Sequence, residues 1–212
     1  MPKSPRTREE INNVKENILD TALHLIADEG FQNLSMRRIA SRLGVTATTI
    51  YNYYSNKDEL YFMIRTHGFE LLYQNLVEAY NDHRTPRERL KACIQSYIKF
   101  GVEYPDYYDV MFVNKNVPKY RESIGTELED VASIDKEMGL KTLFFIARLF
   151  KELYPGDHSF TDEDARYSTI QLWCELNGIV SLSNSRLLHE VDDNVDTLID
   201  RLVYDAYNRF KE

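Results

Sequence analysis

Apolar side chains recur three and four residues apart along most of this 212-residue chain, and no stretch of useful length alternates apolar with polar, so the pattern predicts an all-α protein of about nine helices. Ile11, Val14, Ile18, Ala22, Leu25 and Ile26 mark a first helix over about Glu9–Glu29, stopped by Gly30. Two short helices follow, Met36 to about Leu43 and Ala47 to about Tyr53, with Ser35 and Thr46 as N-caps. Asn56, with Glu59 three residues on, caps a long helix from Lys57 to about Tyr80. Thr85-Pro86-Arg87-Glu88 joins a cap, a proline at the first helical position and a capping-box glutamate, and that helix runs until Tyr104-Pro105 breaks it. Asp106 to about Phe112 reads as a short aromatic helix, Val113 to about Ile124 as a loop, and Glu127 to about Leu153 as a helix ended by Pro155-Gly156. Helices over about Thr161–Ser183 and Asp192–Phe210 close the chain.

The stretch Ser35 to Lys57, SMRRIASRLGVTATTIYNYYSNK, has the spacing of a helix-turn-helix. Ala40 is small where a second helix would cross the first, Gly44 suits a tight left-handed turn, and Ile50 would pack the second helix back on the first. Ile39, Leu43, Val45 and Ile50 are its expected interior. Thr46, Ala47, Thr48, Thr49, Tyr51 and Asn52 are left facing out; they are small or polar and none is acidic, as a helix lying in a DNA major groove requires. Thr46, Thr48, Thr49 and Asn52 are the expected base readers, and Ser35, Arg37, Tyr51, Tyr53 and Lys57 the expected phosphate contacts. Lys57 opposes the dipole in the first turn of its helix, a conflict that a phosphate held by Lys57 and the open N–H groups of that turn would remove. On spacing alone, the competing reading is two amphipathic helices of some other all-α domain.

From about Ile18 to Ile64 the residues resemble the tetracycline-repressor (TetR) family of bacterial transcriptional regulators. The resemblance is carried by an Ile-Leu-x-x-Ala-Leu helix ending in Glu29-Gly30-Phe31, then Leu34-Ser35-Met36-Arg37-Arg38-Ile39-Ala40, Gly44-Val45-Thr46, Ile50-Tyr51-Asn52-Tyr53-Tyr54 and Asn56-Lys57-Asp58-Glu59-Leu60. Ala47 and Thr48 stand where the family often has Lys and Gly, and Tyr54 replaces a usual Phe. The resemblance implies an N-terminal three-helix DNA-binding domain, 1–56, and a C-terminal ligand-binding and dimerisation domain, 57–212, with helix 57–80 as the link. Less specifically, the second half resembles a TetR subgroup with a Trp-x-x-x-His-Gly signature. Here Trp173-Cys174-Glu175-Leu176-Asn177-Gly178 has Asn in place of His.

Charge qualifies this reading. The net charge of −8 opposes DNA binding, yet residues 1–60 hold eight basic and eight acidic side chains, so the excess acidity lies in 61–212. A neutral head with Lys3, Arg6, Arg8, Arg37, Arg38, Arg42 and Lys57 can meet phosphates while an acidic body repels them elsewhere. Met1 to about Arg8 reads either as an unstructured leader or as an arm reaching the minor groove. No apolar run approaches the roughly 18 residues of a membrane span, and the N-terminus lacks the apolar core of a signal peptide, so a cytoplasmic protein is expected. Cys93 and Cys174 lie far apart, outside any Cys/His cluster, and read as free thiols. With no GxSxG elbow, no Gly-rich phosphate loop and no HExxH, no catalytic residue, metal or cofactor is expected.

The second half carries two further assignments. Aromatic residues crowd around Pro105, and at that density they are either core or the walls of an effector pocket. The pocket reading takes Tyr97, Phe100, Tyr104, Tyr108, Phe112, Phe145, Arg148, Tyr167, Trp173 and Asn177, around a small molecule of unspecified chemistry. The helix 161–183 has two apolar faces, one with Ile170, Trp173, Cys174, Asn177 and Val180, the other with Leu172, Leu176 and Ile179. One of them is expected to meet a second copy: Leu172, Leu176 and Ile179, with Leu198, Leu202 and Ala206 of the last helix, form the expected homodimer interface. Together these features describe a dimeric, ligand-responsive regulator that binds a near-palindromic double-stranded DNA operator, most readily as a repressor. The alternative is an all-helical adaptor for a protein partner, which leaves the polar Thr46–Asn52 face unexplained.

Overall fold

The computed structural model describes residues 7–210, which contain ten α-helices and no strand. In order they are α1 (Arg8–Glu29), α2 (Met36–Leu43), α3 (Ala47–Tyr51), α4 (Lys57–Asn81), α5 (Pro86–Glu103), α6 (Pro105–Tyr108), α7 (Tyr120–Ser123), α8 (Glu129–Leu153), α9 (Asp162–Asn184) and α10 (Val195–Asn208). Turns of 3-10 helix cover Phe31–Asn33 and Leu187–Glu190, and a π-helical turn, Asp109–Val113, continues α6. No helix among the described residues is long and apolar enough to cross a membrane.

Caps set most of these boundaries. Thr85 and Thr161 close reciprocal boxes with Glu88 and Asp164 at the starts of α5 and α9. Thr7 does the same with Glu10 at the start of α1; the expected N-terminal arm otherwise lies outside the described residues. Two segments differ from the periodic pattern. α3 ends at Tyr51, after which the Tyr53 N–H closes a tighter bond, three residues back, on the Ile50 carbonyl at 2.9 Å. The stretch expected as a loop after Val113 contains α7.

The chain divides into two compact units. The first runs through Gly68 and takes in Asp106–Lys136; the second comprises Phe69–Pro105 and the residues from Glu137 on. The division falls within α4, the helix expected to link the two halves.

In the first unit Ile18, Ile26, Ile39, Ile50, Leu60 and Ile64 form a closed aliphatic core, each fully buried side chain contributing about 1.5–3 kcal/mol. Val110, from the π turn, belongs to that core, and Tyr107 and Val117 pack against it. The buried Tyr61 hydroxyl donates to the Val110 carbonyl at 2.7 Å, and burial pushes its pKa up to about 12. α4 passes the π turn at glycine distance, since a Cβ on Gly68 would lie 2.6 Å from the Met111 sulfur. Asp135 of α8 is buried 3.5 Å from Arg65 of α4. Burial pushes its pKa up to about 6, with the Arg65 charge opposing that shift.

In the second unit α5 and α9 approach so closely that a Cβ on Gly101 would sit 2.4 Å from Val180 Cγ1. Asn184 donates to the Gly101 carbonyl at 2.9 Å, and Arg209 holds Glu175 of α9 through two nitrogens, each 2.9 Å from a carboxylate oxygen. These contacts settle which face of α9 is internal. Leu172, Leu176, Ile179 and Ala206 are all at most 5% exposed within this single chain, and Leu198 and Leu202 are half-buried. Leu172, Leu176, Ile179 and Ala206, expected at an interface, are therefore corrected to core, since α5 and α10 already cover that face of α9. Tyr167, Ile170, Trp173, Cys174 and Leu182 of α9 are exposed.

Candidate nucleic-acid interface

The helix-turn-helix is built by local chemistry. Ser35 Oγ accepts from the Arg38 N–H at 3.3 Å and starts α2; Ala40 is buried; and Gly44 ends the helix in the left-handed region at φ 67°. The Val45 N–H returns to the Ala40 carbonyl at 2.9 Å, which closes the turn. Thr46 then caps α3 through the Thr49 N–H at 3.2 Å, and the two hydroxyls lie 3.0 Å apart. Fully buried Ile50 ties α3 back to the core.

This geometry sorts the expected DNA contacts. Thr46, Thr48, Tyr51 and Asn52 are exposed, while Ala47, Thr49 and Tyr53 are half-buried. The Thr46 and Thr49 hydroxyls already serve the cap and each other, so Thr48 and Asn52, one turn apart, offer the polar groups best placed for base edges. Arg37 is exposed and Ser35 half-buried at the start of α2. Val45, expected inside, is 42% exposed because the left-handed turn at Gly44 throws it outward beside the N-terminus of α3. An exposed apolar group at that position has the chemistry to meet a thymine methyl.

Lys57 departs from expectation. Its ammonium donates to the Phe31 carbonyl at 3.3 Å and lies 4.5 Å from the centre of the Phe31 ring. Asn56 Oδ1 meanwhile accepts from the Asp58 and Glu59 N–H groups at 3.0 and 2.9 Å, and Glu59 reaches back to Ser55 at 2.6 and 2.7 Å. The dipole conflict is thus relieved inside the chain, and those two N–H groups are not open to a phosphate. Arg38 is likewise engaged by Glu29 and by the Asn33 carbonyl. Tyr54 is buried, with its pKa pushed up to about 12 chiefly by burial, so it serves packing.

The expected effector residues are distributed between the units. Tyr108 (buried) and Phe112 (half-buried) belong to the first. In the second, Tyr97, Phe100 and Phe145 are buried, Asn177 is half-buried, and Tyr104, Arg148, Tyr167 and Trp173 are exposed. Trp173 Nε1 donates to the Tyr97 hydroxyl at 3.1 Å, and Asn177 donates to the Trp173 carbonyl at 2.8 Å. Arg148 lines an open groove of about 460 Å³ with Phe144, Ala147, Lys151, Asp162, Glu163, Ala165 and Arg166. Tyr167 lines a separate one of about 350 Å³. Among the described residues no group of three or more His, Cys, Asp or Glu side chains is arranged to hold a metal ion.

Known proteins share this arrangement. Over 100 residues the chain is 27% identical to the transcriptional activator FasR of Mycolicibacterium smegmatis, covering 47% of this chain and 46% of that protein. The chain spans about half the length of the curated relatives it matches. The fatty acid degradation regulator FadR of Bacillus halodurans superimposes over the whole of both chains with a TM-score of 0.70 at 17% identity. AibR, solved with isovaleryl coenzyme A and operator DNA, does so over 89% of this chain and 95% of its own with a TM-score of 0.63 at 19% identity. Residues 18–64 match the model for bacterial regulatory proteins of the tetR family, and residues 90–206, more than half of the chain, match the tetracyclin repressor-like C-terminal domain. The chain belongs to the TetR family of bacterial transcriptional regulators.

Proposed function

We propose that the chain acts as a dimeric, ligand-responsive repressor that reads a near-palindromic DNA operator with one α3 in each half-site. The observation that carries this reading is the capped α2–Gly44–α3 unit, which leaves Val45, Thr48, Tyr51 and Asn52 exposed at one short helix and its entry turn. The outer face of α9, with Ile170 and Trp173, is the surface offered to a second copy. Effector binding falls to the C-terminal helices; AibR, with its acyl-coenzyme A thioester, supports a small organic ligand as the signal.

Selection of duplexes from a random pool, followed by footprinting, tests this. A near-palindromic site with half-site centres ~34–36 Å apart, or a multiple, is expected. Asn52→Ala should change base preference at one position by about 1–3 kcal/mol, whereas Arg37→Ala should weaken every duplex alike. Recovery of no enriched sequence by a folded protein would favour the adaptor reading, and equal losses on all duplexes for both variants would remove Asn52 as a base reader.

A further inference from the structure

Residues 113–121, Val-Asn-Lys-Asn-Val-Pro-Lys-Tyr-Arg, carry three cations and no acid, and they belong to the compact unit that contains the helix-turn-helix. The segment is fixed to that unit at three points. Val117 packs against its core. The Gln32 side chain donates to the Asn116 carbonyl, with Asn116 held in the left-handed region at φ 55°. Lys136 lies 4.0 Å over the Tyr120 ring. Gln32 itself stands in the 3-10 turn just before Ser35, the cap of α2, so the segment is moored beside the end of α2 that carries Arg37.

Cations within this unit are either paired inside the chain or left to solvent, as Arg37 and Arg42 of α2 are. Arg38 is engaged by Glu29, Lys57 by Phe31, Arg65 by Asp135 and Lys136 by Tyr120. Lys115, Lys119 and Arg121 are exposed and take part in no ion pair among the described residues. Val117 is half-buried against the core while Lys115, Asn116 and Lys119 are exposed, so the two lysines flank that anchor on the solvent side, and Pro118 stiffens the chain between them.

We infer that this segment is a second DNA-contacting element, in which Lys115 and Lys119 meet backbone phosphates of the duplex beyond the bases read by α3. The inference rests on the DNA-binding reading of α2 and α3 and extends it. A lysine ammonium that meets a phosphate supplies charge and no sequence preference, so this contact would hold the duplex without adding to what α3 reads.

The test compares the full-length wild type with K115Q/K119Q and with the charge-retaining K115R/K119R. Each is titrated between about 50 and 200 mM salt against two duplexes of about 40 base pairs, the site selected by the wild type and an unrelated sequence. Removing two phosphate contacts should lower the slope of log K against log salt by ~1.8. Over that fourfold rise in salt the wild type then loses about twelvefold more affinity than K115Q/K119Q. The loss should be alike on both duplexes, and the arginine pair should restore the wild-type slope. An unchanged slope overturns the inference whatever the affinity does, as does a loss that arginine fails to restore or a lowered melting temperature in K115Q/K119Q. A wild type that binds neither duplex overturns the DNA-binding reading itself, and this inference with it.

Discussion

α3 and α9 both begin at a threonine hydroxyl, yet they present opposite surfaces. α3 spans five residues, is anchored by buried Ile50 with Ala47 packed beside it, and turns Thr48 and Tyr51 outward, with Asn52 at its end. α9 spans 23 residues, buries Leu172, Leu176, Ile179 and Val180, and still leaves Ile170 and Trp173 outside. The contrast teaches what each surface is for. A helix that meets DNA keeps polar groups outward, and phosphate contacts by its neighbours fix its register on the duplex. The proposed dimer would give the second apolar side of α9 a partner that its own chain does not supply.

The sharpest way to break this comparison is to exchange a residue on each face of α9. Leu172→Ala should lower unfolding free energy by about 2–5 kcal/mol in denaturant titrations, because it leaves a cavity between packed helices. Ile170→Ala, at 39% exposure, should cost well under half as much when the protein is dilute. Similar losses from the two would mean that the internal face of α9 has been assigned to the wrong side.

In the head the expected losses come from backbone geometry. Gly44 sits at φ 67°, and a Cβ there would meet no atom within 4 Å, so Gly44→Ala carries a conformational cost with no clash. That cost should be about 1–2 kcal/mol, read by the same titration. A neutral result would show that the turn relaxes to another conformation, and the orientation of α3 would then be less firmly set by Gly44 than the φ value implies.

These differences explain what was legible beforehand. Caps, the proline break and the Ala40-Gly44-Ile50 spacing act between residues a few positions apart, so the helices and the DNA-reading unit could be read from the sequence. The inner face of α9 depends on Gly101, a residue of another helix whose missing Cβ admits Val180, and periodicity carries no trace of that approach. The contact of Lys57 with Phe31 was hidden for a similar reason, since Phe31 lies in the turn after α1, 26 residues away. Val45 was misplaced because apolar character suggested burial, while the left-handed glycine before it decides direction. The mooring of 113–121 through Gln32 and Val117 was equally hidden, since that stretch reads as a polar loop.

Gly178 offers the smallest effect on stability and the most direct view of the outer face of α9. It lies within the helix, is exposed, and a Cβ added to it would meet nothing within 4 Å. Glycine in a helix interior costs roughly 0.5–1 kcal/mol relative to alanine, and neither backbone geometry nor packing within this chain asks for it here. A second copy crossing α9 at close range would. Gly178→Ala should therefore raise the stability of the dilute monomer by up to about 1 kcal/mol while weakening the dimer, as measured by sedimentation equilibrium across concentrations. If alanine stabilises the monomer and leaves dimerisation unchanged, the crossing point lies elsewhere on the outer face. If it destabilises the monomer, Gly178 has an intramolecular role, and the argument for a partner at this position falls.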